Sequence, residues 1–356
     1  SLTLRYVSIT TLDSYENTYD MSFEEAGKFW EEICADYCVF AKTLLAYHNS
    51  LMDTVSEIRF PFDTIRPGQK EFMKKALLAL NSGEAFFVEA PTGIGKTVST
   101  LYPAIKGLVK NRYDQIFYLT AKTITRTVAE DAYNTLRESQ DLKFKTVTIT
   151  ARDKICFLEE DKRECNPEAC PYANGHYDRI NDAIYDLLTN EDSFDREKIV
   201  KYAQKHEVCP FEMSLDMSLW ADGVICDYNY VFDPFVYLRR FFADGVKSDY
   251  VFLVDETHNL LDRGRDMYSA ALRKESFLEL KSTIKEFHPR IAGHLDKCNK
   301  ELLELKRNCD GCTVVDSIEK LCPAVSVAQN SYNFNPNSTV GTYTDLSDEL
   351  RSIFSF

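Results

Sequence analysis

A basic surplus is missing from this 356-residue chain: Lys+Arg number 42 against 56 Asp+Glu, a net charge of −14. That balance predicts solubility and counts against a nonspecific nucleic-acid coat, while leaving room for a local basic channel. Long apolar runs are missing too. No stretch approaches the length of a membrane span, and "SLTLRYVSIT" lacks the basic-then-apolar order of an export signal. It also lacks an initiator Met and reads as the start of a fragment. Internal repeats and low-complexity tracts are absent from the pattern. Eleven cysteines, an odd count without an export signal, disfavour a disulfide scaffold and favour metal ligation or burial. These absences place the chain among cytoplasmic proteins that make no membrane contact.

What is present describes a globular protein, with 44% apolar and 28% charged residues and a length that allows two or three domains. Residues 1–60 predict a strand, "TLRYVSI", and then one long helix. Ser22 and Glu25 make a capping box, and Trp30, Ile33, Cys34, Tyr37, Ala41, Leu44 and Leu45 recur at helical spacing as a partly buried face. A second helix is predicted from "RPGQKEFMKKALLALNSG", with Pro67 suited to its first turn and Gly83 to its end. Strand and helix patterns then alternate. "AFFVEA" predicts a buried strand, and a helix from Lys96, kinked by Pro103, follows it. "QIFYLT", the helix "TITRTVAEDAYNTL", and the strands "TVTITA", "GVIC" and "YVFLV" continue the series. The fold class is therefore α/β, a parallel sheet flanked by helices. After residue 268 only helical patterns remain, "SFLELKSTIKEF" and "HLDKCNKELLELKRN", before a loop-like polar tail.

Between the first strand and its helix stands "VEAPTGIGKTVSTL". Residues Ala90, Pro91, Thr92, Gly93, Ile94, Gly95, Lys96 and Thr97 form a phosphate-loop pattern in which Ala90 replaces the usual first glycine. Gly93 and Gly95 let backbone N–H groups turn inward around phosphate oxygens, and the helix N-terminus adds positive potential. Lys96 can reach the β and γ phosphates, and the Thr97 hydroxyl can ligate Mg²⁺. The partner acid lies in "YVFLVDETHNL": Asp255 ends an apolar strand, placed to hold Mg²⁺, and Glu256 is the candidate general base for water. ATP hydrolysis is the reaction implied. His258 suits either a γ-phosphate sensor or a structural role.

Too many residues separate Lys96 from Asp255 for two or three βα units alone, so something is inserted where "TVTITA" ends. Its cysteines run Cys156-x8-Cys165-x4-Cys170, and "HEVCPF" returns a fourth at Cys209. Two helical patterns between, "RINDAIYDLL" and "DREKIVKYAQ", can bring Cys209 back to the others. Four thiolates suit tetrahedral Zn²⁺ or a cubane iron–sulphur cluster, and spacing alone leaves these and unligated structural cysteines open. The lack of a tight C-x-x-C pair weakens a zinc knuckle. Arg152, Lys154, Lys162 and Arg163 suit phosphate contact or solvated charge equally. Tyr228, Tyr230 and Phe232 could stack on bases, but core packing is preferred. Cys226 belongs to the core, and Cys298, Cys309, Cys312 and Cys322 are not expected to form a second metal site.

The order of "RPGQ", "APTGIGKT", "YLTAKT", "ARDKIC…C…C…VCPF", "ADGVICDYNYVFDP" and "VDETHN" resembles the iron–sulphur superfamily 2 DNA helicases, the XPD and DinG group, across residues 60–268. The resemblance is nearest to the bacterial branch in which a nuclease-like domain precedes the helicase. It implies a RecA-like P-loop sheet at 61–268 with an Fe–S insertion at about 151–215, the start of a helical arch at 269–356, and the end of an upstream domain or linker at 1–60. It implies that Lys96, Thr97, Asp255, Glu256 and His258 serve ATP and Mg²⁺, with Thr257 where a small residue is usual. Arg66 and Gln69 would meet the nucleotide, and Thr120, Ala121, Lys122 and Thr123 the DNA backbone. Cys156, Cys165, Cys170 and Cys209 would hold a 4Fe–4S cluster, beside a rim through which one DNA strand threads. A second RecA-like domain, which supplies arginines in such enzymes, is not legible in the sequence, so the chain alone is expected to bind ATP without efficient turnover. The rival readings are an ATP-assisted nuclease and a Zn-dependent, nucleotide-gated DNA-binding module.

Overall fold

The computed structural model describes residues 2–7, 14–91, 93–111, 113–121, 123–160, 163–243, 245–269 and 273–307. Thr92, Lys122, Lys162, Cys309, Cys312 and Cys322 lie outside the described residues. The chain divides into two units, Ser1–Tyr268 and Ser269–Phe356.

In the first unit β1 (Leu2–Val7) and β2 (Ser14–Tyr19) form an antiparallel hairpin. The second of these strands was not expected, because "SYENTY" carries too little apolar alternation to announce one. The helix Phe23–Ser56 follows, and its capping box is formed as predicted: Ser22 Oγ accepts from Glu25 N, and Glu25 accepts from Ser22 N. Only its second half meets the body. Phe40 and Leu44 pack against one core and Leu51 and Val55 are buried in the other, whereas Trp30, Ile33, Tyr37 and Leu45 are exposed. The expected buried face therefore begins about ten residues later than the sequence pattern suggests. With little packing to hold its first turn, the cap matters locally: Ser22→Ala should accelerate amide exchange across residues 23–30 about fivefold, read by hydrogen–deuterium exchange.

The main sheet is parallel throughout. Its strands are β3 (Gln115–Thr120), β4 (Thr146–Thr148), β5 (Ser193–Phe194), β6 (Gly223–Asp227) and β7 (Tyr250–Val254), in the order β5-β4-β6-β3-β7. The fold is thus α/β with a RecA-like sheet. Central β3 is buried at every position, which explains its unbroken apolar run. Phe117 and Leu119 point into one core and Ile116 and Tyr118 into the other, following the two-residue strand period. The first core takes the helices His176–Asn190, Arg196–Lys205 and Pro210–Met217; the second takes Lys96–Asn111, Thr123–Glu138 and the end of Phe23–Ser56. At Gly223 a Cβ would lie 3.0 Å from both the Phe144 ring and the Tyr133 hydroxyl, so a side chain there would press both rings aside.

One predicted strand is absent. "AFFVEA" forms no ladder, and Phe86, Phe87 and Val88 are exposed. A strand needs a neighbour as well as an apolar run. β7 is an edge strand, and among the described residues nothing pairs with 85–90. "TVTITA" is likewise shorter than expected, forming strand only at Thr146–Thr148.

A buried polar knot ties the long helix to the sheet's N-terminal edge. Tyr47 donates to Asp222, Lys145 N donates to Asp222 Oδ2 at 2.7 Å, and Lys145 Nζ donates to Glu191 O and Asp192 Oδ1 at 2.6 and 2.7 Å. In the second unit Lys274–Ile284 and Pro289–Arg307 pair as a helical hairpin, with Lys281 and Asp296 bridged at 2.6 Å and Cys298 buried. Among the described residues no helix is long and apolar enough to cross a membrane.

Candidate nucleotide and metal sites

Gly93 and Gly95 adopt φ of 85° and 81°, the left-handed region open to glycine. A side chain at Gly95 would also press on Gln69, its Cβ falling 3.0 Å from Nε2. Lys96 then begins the helix Lys96–Asn111, whose exposed N–H groups face the loop. Arg66 donates to Gly93 O through Nη1 and to Gln69 Oε1 through its backbone N, the latter at 3.0 Å. Gln69 is buried and donates from Nε2 to Ser99 Oγ at 3.0 Å. Both residues placed near the nucleotide by sequence thus brace the loop, with Gln69 engaged at both ends of its amide. Ile94 lies beside Gly68, Ala90 is half-buried and Pro91 is exposed.

The acid pair arrives from β7. Asp255 N donates to Leu119 O at 3.0 Å, which extends the ladder by one bond, and Glu256 then turns left-handed at φ 50° and ψ 46°. That turn brings Glu256 Oε1 to 3.7 Å from Lys96 Nζ and Oε2 to 3.4 Å from His258 Nδ1. Phosphate loop and acid pair therefore meet at the C-terminal edge of the parallel strands, where α/β sheets hold ligands. Burial, and then the Glu256 charge, raise the Asp255 carboxyl above its usual range.

Two tyrosines that sequence reasoning did not assign to the site stand behind it. Burial, and then the Asp255 charge, raise the Tyr118 phenol above its usual range. Tyr228, fully buried, donates to Asp255 O and approaches Glu256 O at 3.2 Å. A polar-tipped residue inside an apolar strand was the available signal for Tyr118; for Tyr228 only the core-packing expectation was available, and it is met, as it is for Tyr230 and Cys226. Phe232, by contrast, is 36% exposed. Thr97 and Asp255 are the oxygen donors available here to a small hard cation such as Mg²⁺.

The four insertion cysteines are free thiols. Cys156 ends the short helix Arg152–Ile155, Cys170 is buried, and Cys209 precedes Pro210 at the start of Pro210–Met217, its N–H donated to His176 Nδ1 at 3.3 Å. Burial raises the Cys209 thiol, and Cys156 is near enough to add to the effect. Cys165 is exposed, with Arg152 Nη1 3.7 Å from its sulphur. The donor set has the chemistry for four-thiolate ligation, but the arrangement is open: among the described residues no three His, Cys, Asp or Glu side chains gather as a metal site. Arg152 therefore faces a thiol, and Arg163 donates to Leu158 O at 3.0 Å.

The DEAD_2 family matches residues 120–277. Over 251 residues the chain is 25% identical to the Regulator of telomere elongation helicase 1 homolog of Caenorhabditis briggsae, which covers 59% of this chain and 24% of that protein. It is 26% identical over 238 residues to the General transcription and DNA repair factor IIH helicase subunit XPD/RAD3 of Saccharomyces cerevisiae, covering 57% and 30%. The chain is similar to XPD-type superfamily 2 helicases. A solved structure titled XPD_Helicase aligns at 20% identity and a TM-score of 0.49, over 68% of this chain and 41% of that one. The chain spans about a quarter to a third of the length of the curated relatives it matches.

Proposed function

We propose that the chain is the N-terminal part of an ATP-dependent DNA helicase of the XPD type, coupling ATP hydrolysis to movement along single-stranded DNA, with 5′-to-3′ polarity. The meeting of Lys96 with Glu256 at 3.7 Å carries this reading, because it joins a phosphate loop to an acid pair on one sheet edge. Lys96 neutralises the β and γ phosphates as charge develops, and the loop N–H groups between Gly93 and Lys96 orient them. Thr97 and Asp255 would hold Mg²⁺, which supplies further charge neutralisation. Glu256 is the base that orients water, and it exchanges Lys96 for that water when a γ-phosphate takes the ammonium. His258, exposed and beside Glu256, is placed to register the phosphate's loss.

Thr120, Ala121, Lys122 and Thr123 would meet the DNA backbone, and an arch is assigned to residues 269–356. An upstream nuclease-like domain and a second RecA-like domain would complete the cytoplasmic protein. Efficient turnover would then need arginines from that second domain.

Cys156, Cys165, Cys170 and Cys209 would hold a 4Fe–4S cluster, which stiffens the part of the molecule that parts the duplex. Anaerobically purified protein should then be brown and contain about four irons per chain. Cys209→Ser should remove most of that iron. A colourless wild-type preparation carrying one zinc would replace the cluster with the Zn-dependent binding module.

A further inference from the structure

Behind the acid pair, one hydroxyl contacts backbone where side chains were expected to do the work. Tyr228 follows β6 and is fully buried, and its O–H points at two successive carbonyls, Asp255 O and Glu256 O. Those carbonyls flank the bend in which Glu256 takes φ 50° and ψ 46°. A glutamate enters that region only when its surroundings hold it there. Hydrogen bonds on both sides of the bend hold it. Asp255 N is fixed by Leu119 O at 3.0 Å, and Glu256 O receives Asn259 N at 2.9 Å and Asn259 Nδ2 at 3.1 Å. Tyr228 closes the set from the end of β6, across β3.

The backbone that carries the ring is held as well. Phe232 N donates to Tyr228 O at 2.9 Å, and Asn229 N donates to Asp227 Oδ1 at 3.0 Å. Arg263, on the helix after the acid pair, bridges Asp227 Oδ1 and Asn229 Oδ1 at 2.8 and 2.9 Å. Burial, and then the two neighbouring carboxylates, push the Tyr228 phenol up to about 12, so it remains a donor at neutral pH.

We propose that Tyr228 is a positioning residue for the Mg²⁺–nucleotide site: its hydroxyl clamps the Asp255–Glu256 bend in the shape that sets Glu256 against Lys96 and aims the Asp255 carboxylate. The proposal rests on the nucleotide reading. It differs from plain core packing in one respect. Packing needs only the ring, whereas the clamp needs the oxygen.

Tyr228→Phe keeps the ring and removes the oxygen. Affinity for a fluorescent ATP analogue is measured with Mg²⁺ and with EDTA. The clamp predicts about a tenfold loss with Mg²⁺ and less than a twofold change in EDTA, because the phosphate loop is untouched and the Asp255 ligand is displaced. Asn259→Ala, which removes the other side-chain donor to Glu256 O and so loosens the same bend, should shift the Mg²⁺ value about threefold in the same direction, and it decides the matter if Tyr228→Phe fails to fold. Unchanged binding in both conditions, or equal losses in both, would overturn the clamp. Wild-type binding that ignores Mg²⁺ would instead overturn the nucleotide reading beneath it.

Discussion

Lys96→Ala lowers the affinity for Mg²⁺–ATP by about two orders of magnitude, because charge-assisted hydrogen bonds to phosphate are worth about 1.5–3 kcal/mol and the neighbouring cation, Arg66, is already engaged with Gly93 O. The geometry makes Lys96 available. Its side chain is about a third exposed, and its ion pair with Glu256 is long at 3.7 Å, so the partner is easily exchanged for a phosphate oxygen. The same looseness predicts little effect on folding. An exposed pair of this kind contributes less than about 1 kcal/mol, so the thermal midpoint should move by only a few degrees. Fluorescent-nucleotide titration and a thermal melt on one preparation check both halves. A variant that binds normally would remove Lys96 from the site.

Asp222→Asn should flatten the stability profile between pH 4 and pH 7. Asp222 is half-buried, and its carboxyl is raised from 3.8 to about 6, chiefly by desolvation and against the Tyr47 and Lys145 hydrogen bonds that lower it. Its folded value therefore exceeds its unfolded one, so the folded state takes up the proton first as pH falls. Stability then decreases as pH rises from about 4 to about 6, and above that range the ionised group costs about 3 kcal/mol. Asparagine keeps an acceptor for Tyr47 and Lys145 without the charge. Urea midpoints at several pH values should show a wild-type decline that the variant lacks. Equal slopes would mean that Asp222 titrates normally in the folded chain.

How much of this was legible in the sequence depends on whether each feature is local. The phosphate-loop pattern, Asp255 and Glu256 could be picked out because Gly-Lys-Thr opens a helix and the acid pair ends an apolar strand, and parallel strands deliver their C-terminal ends to one edge. Cys226 and Tyr230 in the core followed from apolar periodicity. "AFFVEA" failed because a run of apolar residues states a preference for burial and cannot name its neighbour. The exposure of Trp30 and Tyr37 failed for a related reason: helical spacing marks a face, and the body reaches only the half that starts near Phe40. Gln69 carried a nucleotide expectation, but its amide spans Arg66 and Ser99, a pairing across the loop that spacing does not reveal. Tyr118, Tyr228 and Asp222 were missed because the direction of a buried hydroxyl or carboxylate is set by long-range packing. The four cysteines were visible as donors, while their distances belong to tertiary structure.

Calorimetric titration of the purified protein with ATP, with and without Mg²⁺, tests the central claim most directly. A phosphate loop and acid pair that form one site predict a single nucleotide per chain, bound at least tenfold more tightly when Mg²⁺ is present. No binding heat, or an affinity indifferent to Mg²⁺, would contradict it.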